Sequence, residues 1–579
     1  MADVLVEVEQ GKLQGTTGHD YYGGKFFKFL GVPYAKAPIG DLRFKAPQPP
    51  EPWTGVKNAT KEGAECPSAD MFFSFYVGQE DNCLNLNVYT KELPKEDKRV
   101  KKAVMVWIHG GAFTCGSNRS FMYGPEYLMT QDIVLVAINY RLGILGFASF
   151  KDPSLGIPGN AGLKDMREAL RWVQKNVGRF GGDPDNVTIF GESAGGASVH
   201  YLTLAPSTQG LFHKAIVQSG SALNNWSWGK NNAPEIAKCL GYKETEENKI
   251  VEKLRKESAK AIVQSQRKLK EASNERQFQH DVFASGKIRP WGPVVEPESP
   301  DAILTEHPSK IMQSQGGHKI PLIIGYNSGE GIFFELVRRT VPGVGIPKHL
   351  EHEIPYELGL VKGSERSKQM AERLKKAYFG DKECHEDIDQ MYKLKGDTCF
   401  IHPIQRTLKL QAKHSHQPVY AYRMSLVSSL NYFHTFAMTK HFKTTMFCSL
   451  LSMASVKFLP SAKESVLNML NKVPKREMNG VVHADDLLYL FPTFFTPPIQ
   501  RGSTEDRYIQ RFVKMWTNFA IHGEPTPHHD EALDHVKWKP VSHENVEFLD
   551  IGHKLNMIEN VDGDRMDIWD DIYKNHLTV

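Results

Sequence analysis

Hydrophobic and polar positions divide the chain into two unlike halves. In the first, residues 103–108 and 133–138 are unbroken apolar runs rich in β-branched side chains, the pattern of central strands covered on both faces. Residues 187–190, 215–218 and 321–326 repeat that pattern, and residues 5–8 and 26–30 read as early strands of a hairpin or meander. Residues 84–89 alternate apolar and polar positions, which predicts a strand with one face in solvent. Between the runs, Leu163, Met166, Leu170, Val173 and Val177 recur at steps of three and four, one face of a helix. Strand and helix alternating in this way predict an α/β fold with a large, mostly parallel central sheet flanked by helices on both faces.

The second half reads as more helical. Residues 248–273 form a charged, helix-prone stretch with Ile250, Leu254 and Ile262 on its apolar face, and residues 365–378, 400–416 and 506–521 read as amphipathic helices. The charge-dense residues 91–102 read as a solvated loop. No repeat and no Pro/Gly/Ser-rich linker interrupts the chain, so residues 1–579 are expected to form one domain with helical insertions in the second half.

Composition narrows the function. With 40% apolar and 24% charged residues, the chain supports a large core. A net charge of +4 spread over 579 residues leaves no basic stripe for a nucleic acid. No apolar run approaches the roughly 18 residues of a membrane-spanning helix. The amino terminus lacks a basic start followed by an apolar stretch, so an intracellular, cytoplasmic protein is expected. Seven cysteines do not make a disulfide scaffold in a chain this long. His414 and His416 stand without further ligands nearby, and neither a metal nor an organic cofactor is expected.

The chemistry concentrates in one short segment. Gly191-Glu192-Ser193-Ala194-Gly195 directly follows the strand at 187–190 and precedes a helix-compatible run. The five-residue motif alone is weak, but strand, sharp turn and helix together make a nucleophile elbow that presents Ser193 at the carboxyl edge of the sheet. His109-Gly110-Gly111-Ala112-Phe113 also follows a buried strand. Glycines there let the backbone approach a substrate, so the N–H groups of Gly110 and Gly111, with that of Ala194, are candidate donors to an oxyanion. A serine nucleophile needs a base and an orienting carboxylate. Among 23 histidines, His483 stands out in a glycine loop that runs into Asp485 and Asp486. Glu330 lies in a glycine loop just beyond the strand at 321–326. The order Ser, acid, His is that of α/β hydrolases. Phe113, Trp226, Phe333 and Phe334 lie beside these motifs, as pocket wall or as core.

These residues resemble the type-B carboxylesterases, the cholinesterase-like group of α/β hydrolases, over nearly the whole chain. Further matching segments are Glu80-Asp81-Asn82-Cys83-Leu84-Asn85-Leu86-Asn87-Val88, Asn139-Tyr140-Arg141-Leu142-Gly143 and Phe180-Gly181-Gly182-Asp183-Pro184. The resemblance implies an α/β-hydrolase fold, Ser193, Glu330 and His483 as the triad, and Gly110, Gly111 and Ala194 as the oxyanion hole. It implies that Ser219 supports the acid and that Cys66 and Cys83 form the family's first disulfide. Glu192 stands where juvenile hormone esterases usually carry Gln. The segment between Cys66 and Cys83 has Phe72, Phe73, Phe75 and Tyr76 but no tryptophan for a choline cation. The nearest likeness is to insect intracellular α-esterases, although the stretch between Glu330 and His483 exceeds the usual spacing. The expectation is therefore a serine esterase for hydrophobic esters, phosphorylated by organophosphates. The alternatives are a sequestering esterase with slow turnover and a juvenile hormone esterase.

Overall fold

The computed structural model describes residues 4–69, 75–95, 101–230, 232–274, 291–340, 346–347, 349–438, 479–493, 496, 498–542 and 546–576. The unbroken apolar runs lie in the middle of one sheet. Its order is Val4–Val8, Gly11–His19, Lys25–Pro33, Asn85–Thr90, Val134–Ile138, Lys102–Ile108, Gly182–Glu192, Lys214–Gln218, Leu322–Asn327, Val419–Met424, Phe548–Ile551 and Leu555–Ile558. Val56–Asn58 pairs alongside Gly11–His19. Every neighbouring pair from Val134–Ile138 to Phe548–Ile551 is parallel, and the pairs outside that block are antiparallel along the main path.

Alternation along each central strand feeds two cores. Val104, Val106 and Ile108 pack into one, with Leu163, Met166 and Leu170 of helix Ala161–Asn176. Met105 and Trp107 pack into the other, with Phe512, Trp516 and Phe519 of helix Thr504–His522. Trp107 lies 4.9 Å from the Phe190 ring and 4.8 Å from that of Phe491. Because the central strands are parallel, their carboxyl ends share one edge, and the loops leaving them converge there.

Several elements differ from expectation. Strand Asn85–Thr90 is buried at all six positions rather than half-buried. Its polar residues face other chain segments: Asn85 Nδ2 donates to Ala64 O at 2.9 Å, and Asn87 Oδ1 accepts the Gly31 N–H at 2.9 Å. The stretch 248–273 is two helices, Glu247–Lys256 and Ala259–Asn274. The second starts where Ser258 Oγ accepts the Ala261 N–H at 3.1 Å, a serine cap that competes with helix continuation. Helix His402–His414 begins two residues later than expected, because a wider π turn, Asp397–Ile401, precedes it. Lys102, at the end of the charged run, is buried and pairs with Asp132 at 2.5 Å. Residues 96–100 of that run, and residues 341–345, 348 and 439–478 of the long stretch before His483, lie outside the described residues.

An ion pair buried beside the first core ties this architecture together. Lys164 Nζ lies 2.5 Å from Glu296 Oε1, with both side chains at most 2% exposed. Glu296 Oε2 accepts from Asn160 Nδ2 at 2.7 Å and from the Ile303 N–H at 2.9 Å. Lys164→Met strands a buried carboxylate and is expected to cost about 3–5 kcal/mol. Urea denaturation checks this, and adding Glu296→Gln is expected to restore part of the loss.

Candidate active site

Strand Gly182–Glu192 passes into helix Ala194–Leu204 through a single residue, Ser193. Its backbone sits at φ 58°, ψ −123°, a conformation that costs an L-residue roughly 1–3 kcal/mol. The surroundings hold it there: the Ser193 N–H donates to Gln218 O at 2.9 Å, and Ser193 O accepts the Ala197 N–H at 2.9 Å. All residues of the helix are buried, so its position is imposed from every side. Ala194 is its first residue, and its N–H is one of the helix-start amides without an intrahelical acceptor.

The loop after strand Lys102–Ile108 lies level with this turn, because Ile108 pairs with Gly191. A Cβ on Gly110 would stand 3.2 Å from Ser193 Cβ, which places the glycine loop against the elbow. Gly111 has φ +107°, and a Cβ there would stand 2.2 Å from Cys115 O. Only glycine fits. Among the described residues the N–H groups of Gly110 and Gly111 donate to no protein acceptor, so both are available to a substrate oxygen.

Glu330 begins a short 3₁₀ turn just past strand Leu322–Asn327 and has no exposed surface. Its Oε1 accepts from Ser219 Oγ at 2.6 Å and from the Asn327 N–H at 2.7 Å. Its Oε2 lies 2.6 Å from His483 Nδ1. A carboxylate accepts, so Nδ1 carries the proton and Nε2 faces the rest of the site. The loop bearing His483 is pinned to the loop bearing Glu330: the Gly329 N–H donates to Val481 O at 2.9 Å, and the Val481 N–H donates to Ser328 Oγ at 3.0 Å.

Three carboxylates surround this imidazole. His483 Nε2 lies 3.1 Å from Glu192 Oε1, and Asp486 is fully buried one turn further along. Asp486 accepts from Gln218 Nε2 at 2.8 Å and from Asn327 Nδ2 at 3.2 Å, while Gln218 Oε1 accepts from Trp516 Nε1 at 3.1 Å. Asp486 thus links the end of strand Lys214–Gln218, beside the elbow, to the loop of Glu330. Burial pushes the Glu192 carboxyl up to about 8, against the pull of His483 and with help from Asp486 and Glu330. Burial alone would lower His483, but Glu192 and then Glu330 outweigh it and raise it to about 9. The Glu192 carboxylate thus favours the charged imidazolium, and while a proton sits on Nε2 the imidazole is no base. Among the described residues the Ser193 hydroxyl makes no hydrogen bond, a looseness common before substrate binds.

The aromatic residues divide. Phe333 lies 5.2 Å from the His483 ring and 6.0 Å from Phe334. Trp226 donates from Nε1 to Cys399 O at 2.7 Å and packs 5.6 Å from Phe400, which itself lies 4.5 Å from His483. Phe113 is fully buried against Phe147, so it is core. Sequence reasoning missed Phe400, because a lone aromatic at a helix start carries no sign of tertiary position. It also left Asp486 without a role, although two adjacent acids entering an apolar run were a visible signal. Cys66 and Cys83 stand as buried free thiols, where the resemblance implied a disulfide. Among the described residues, no three His, Cys, Asp or Glu side chains form a metal-binding group, and no helix is long and apolar enough to cross a membrane.

A parallel sheet with an elbow, an acid loop and a histidine loop along its carboxyl edge defines an α/β hydrolase. Comparison with known proteins narrows this class. The chain belongs to the carboxylesterase family, whose model matches residues 2–569, and it is a carboxylic ester hydrolase. It is 32% identical to Esterase B1 of Culex pipiens over 99% of each chain. It is 33% identical to the juvenile hormone esterase of Tribolium castaneum over 94% of this chain and 87% of that protein. It is also similar to the crystal structure of juvenile hormone esterase from Manduca sexta with OTFP covalently attached. That match has TM-score 0.80 and 28% identity, covering 99% of this chain and 100% of that one.

This bias toward the imidazolium has a measurable consequence. The acid limb of kcat/KM is expected above the ordinary imidazole value of about 6.5. Glu192→Gln removes the carboxylate that most favours the imidazolium, so the limb is expected to move to lower pH. A limb that stays in place or moves up would show that Glu192 does not favour the imidazolium.

Proposed function

We propose that the enzyme hydrolyses hydrophobic carboxylic esters through an acyl-enzyme on Ser193. The observation that carries this reading is the 2.6 Å contact between His483 Nδ1 and a fully buried Glu330, at the same sheet edge as the strained Ser193. His483 Nε2 takes the serine proton as Oγ attacks the ester carbonyl. The carbonyl oxygen becomes an oxyanion held by the N–H groups of Gly110, Gly111 and Ala194, of which one such donor contributes roughly 3–4 kcal/mol in a measured case. The tetrahedral intermediate collapses, and the alcohol leaves with the proton from His483. Water then enters, gives its proton to His483 and attacks the acyl carbon, and collapse releases the acid and restores Ser193. Glu330 keeps the ring oriented throughout and stabilises its charged form. Phe333, Phe334, Trp226 and Phe400 give the site aromatic surroundings that favour apolar acyl or alcohol groups over charged ones.

The same nucleophile attacks phosphorus. In a phosphate triester the phosphoryl oxygen occupies the oxyanion hole and a good leaving group departs, leaving a tetrahedral phosphoserine. Water must then approach in line a phosphorus centre that is already tetrahedral, so the adduct persists.

Ser193→Ala is expected to leave a folded protein that hydrolyses p-nitrophenyl butyrate at under about a thousandth of the parent rate. Activity above that level would rule out Ser193. Diethyl p-nitrophenyl phosphate is expected to silence the enzyme at one equivalent, with a diethylphosphoryl group on Ser193 by intact-mass and peptide analysis. Survival of activity in tenfold excess would overturn this. Rapid-mixing kinetics with the butyrate ester separates turnover from sequestration: a one-equivalent burst followed by negligible steady-state release favours the sequestering alternative.

A further inference from the structure

The first residue of the glycine loop is a histidine buried outside the three groups that do the proposed chemistry. His109 has no exposed surface, and it follows directly on strand Lys102–Ile108. Its ring stacks on Tyr140 with centroids 4.4 Å apart and planes 18° apart, and the Tyr140 hydroxyl donates to His109 O at 2.9 Å. These contacts leave the ring one orientation. Its two nitrogens fare differently. Nδ1 lies 2.8 Å from Gly110 O, while Nε2 is buried with no partner among the described residues.

A carbonyl only accepts, so Nδ1 carries the proton and donates to Gly110 O. Gly110 O belongs to the peptide linking Gly110 to Gly111. In a trans peptide the carbonyl and the following N–H point in opposite directions. Holding Gly110 O therefore fixes where the Gly111 N–H points. That restraint matters because glycine on both sides of the peptide offers little resistance to rotation.

We propose that His109 is a positioning residue for the oxyanion hole, locking the Gly110–Gly111 peptide so that the Gly111 N–H faces the oxygen of the carbonyl attacked by Ser193. This rests on the reading of Gly110 and Gly111 given under the proposed function. Two further observations fit it. Burial lowers the imidazole to about 4, so it stays neutral with a single donor across the working range. The space around the bond is also closed: Gly116 has φ +105°, and a Cβ there would stand 2.5 Å from His109 Nδ1 and 2.6 Å from Gly110 O. The chain carries glycine where any other residue would press on this hydrogen bond. The unpartnered Nε2 is a buried acceptor that a purely structural role does not explain, since an apolar ring would fill the space without it.

The test compares His109→Leu, which removes the donor, with His109→Asn, whose Nδ2 replaces Nδ1. Gly116→Ala crowds the same bond from the other side. Rates are taken per active site, counted by titration with diethyl p-nitrophenyl phosphate, so that misfolded protein does not enter. His109→Leu is expected to lose roughly 100-fold in kcat, the scale of one lost oxyanion donor, with KM within about threefold. His109→Asn is expected to recover at least about tenfold of that loss, and Gly116→Ala to reproduce it in part. Affinity for an alkyl trifluoromethyl ketone, which forms an oxyanion on addition of serine, should fall in parallel with kcat/KM. The pH of the acid limb should not move.

An unchanged kcat per titrated site in His109→Leu would overturn the proposal. So would an equal loss in the Leu and Asn variants, or ketone affinity that holds while kcat falls. Failure of the hole itself reads differently: the parent enzyme would then bind the trifluoromethyl ketone no more tightly than the matching methyl ketone.

Discussion

A carboxylate with no exposed surface must find its hydrogen-bond donors inside the protein, and the site is arranged around that demand at Glu330. Its donors come from three separate places. Ser219 follows strand Lys214–Gln218, the Asn327 N–H ends strand Leu322–Asn327, and His483 lies on a loop more than a hundred residues further along the chain. Each donor fixes the segment that carries it. The end of the strand beside the elbow, the loop of the acid and the loop of the base are thus brought into register by one buried group.

A second layer of acids gives the site its electrostatic character. Asp486 is satisfied by Gln218 and Asn327, the residues that already flank the elbow and the acid loop. Glu192 faces His483 Nε2 and is the carboxylate that burial pushes up to about 8. Glu330 orients the imidazole from one side, while the Glu192 carboxylate favours its charged form from the other. In the proposed mechanism Nε2 must be free of its proton, so the two glutamates together set the pH at which His483 can act as base.

The legibility of the elements followed their burial. Strands covered on both faces, such as Lys102–Ile108 and Val134–Ile138, announced themselves as unbroken apolar runs. Strand Asn85–Thr90 alternates just as visibly, but its asparagines face protein, and alternation does not say what lies opposite a polar side chain. Strands Val419–Met424, Phe548–Ile551 and Leu555–Ile558 were missed; they are short and mixed in character, and pairing in the sheet defines them.

The sequence by itself determined the alternating α/β plan, the elbow at Ser193, the glycine loop at 109–113 and the candidate acid and base. Backbone rules produce these signatures locally: a strained turn needs small neighbours, and a close approach needs glycine. Tertiary structure alone decided which of the many buried polar groups face one another. It placed Phe400 on His483 and Phe113 in the core, set Asp486 between Gln218 and Asn327, and turned Glu192 toward Nε2. It also left Cys66 and Cys83 as neighbouring free thiols. Such contacts join residues distant along the chain. Their energies depend on burial and on the direction of each donor, and neither is set until the sheet has brought its carboxyl ends to one edge.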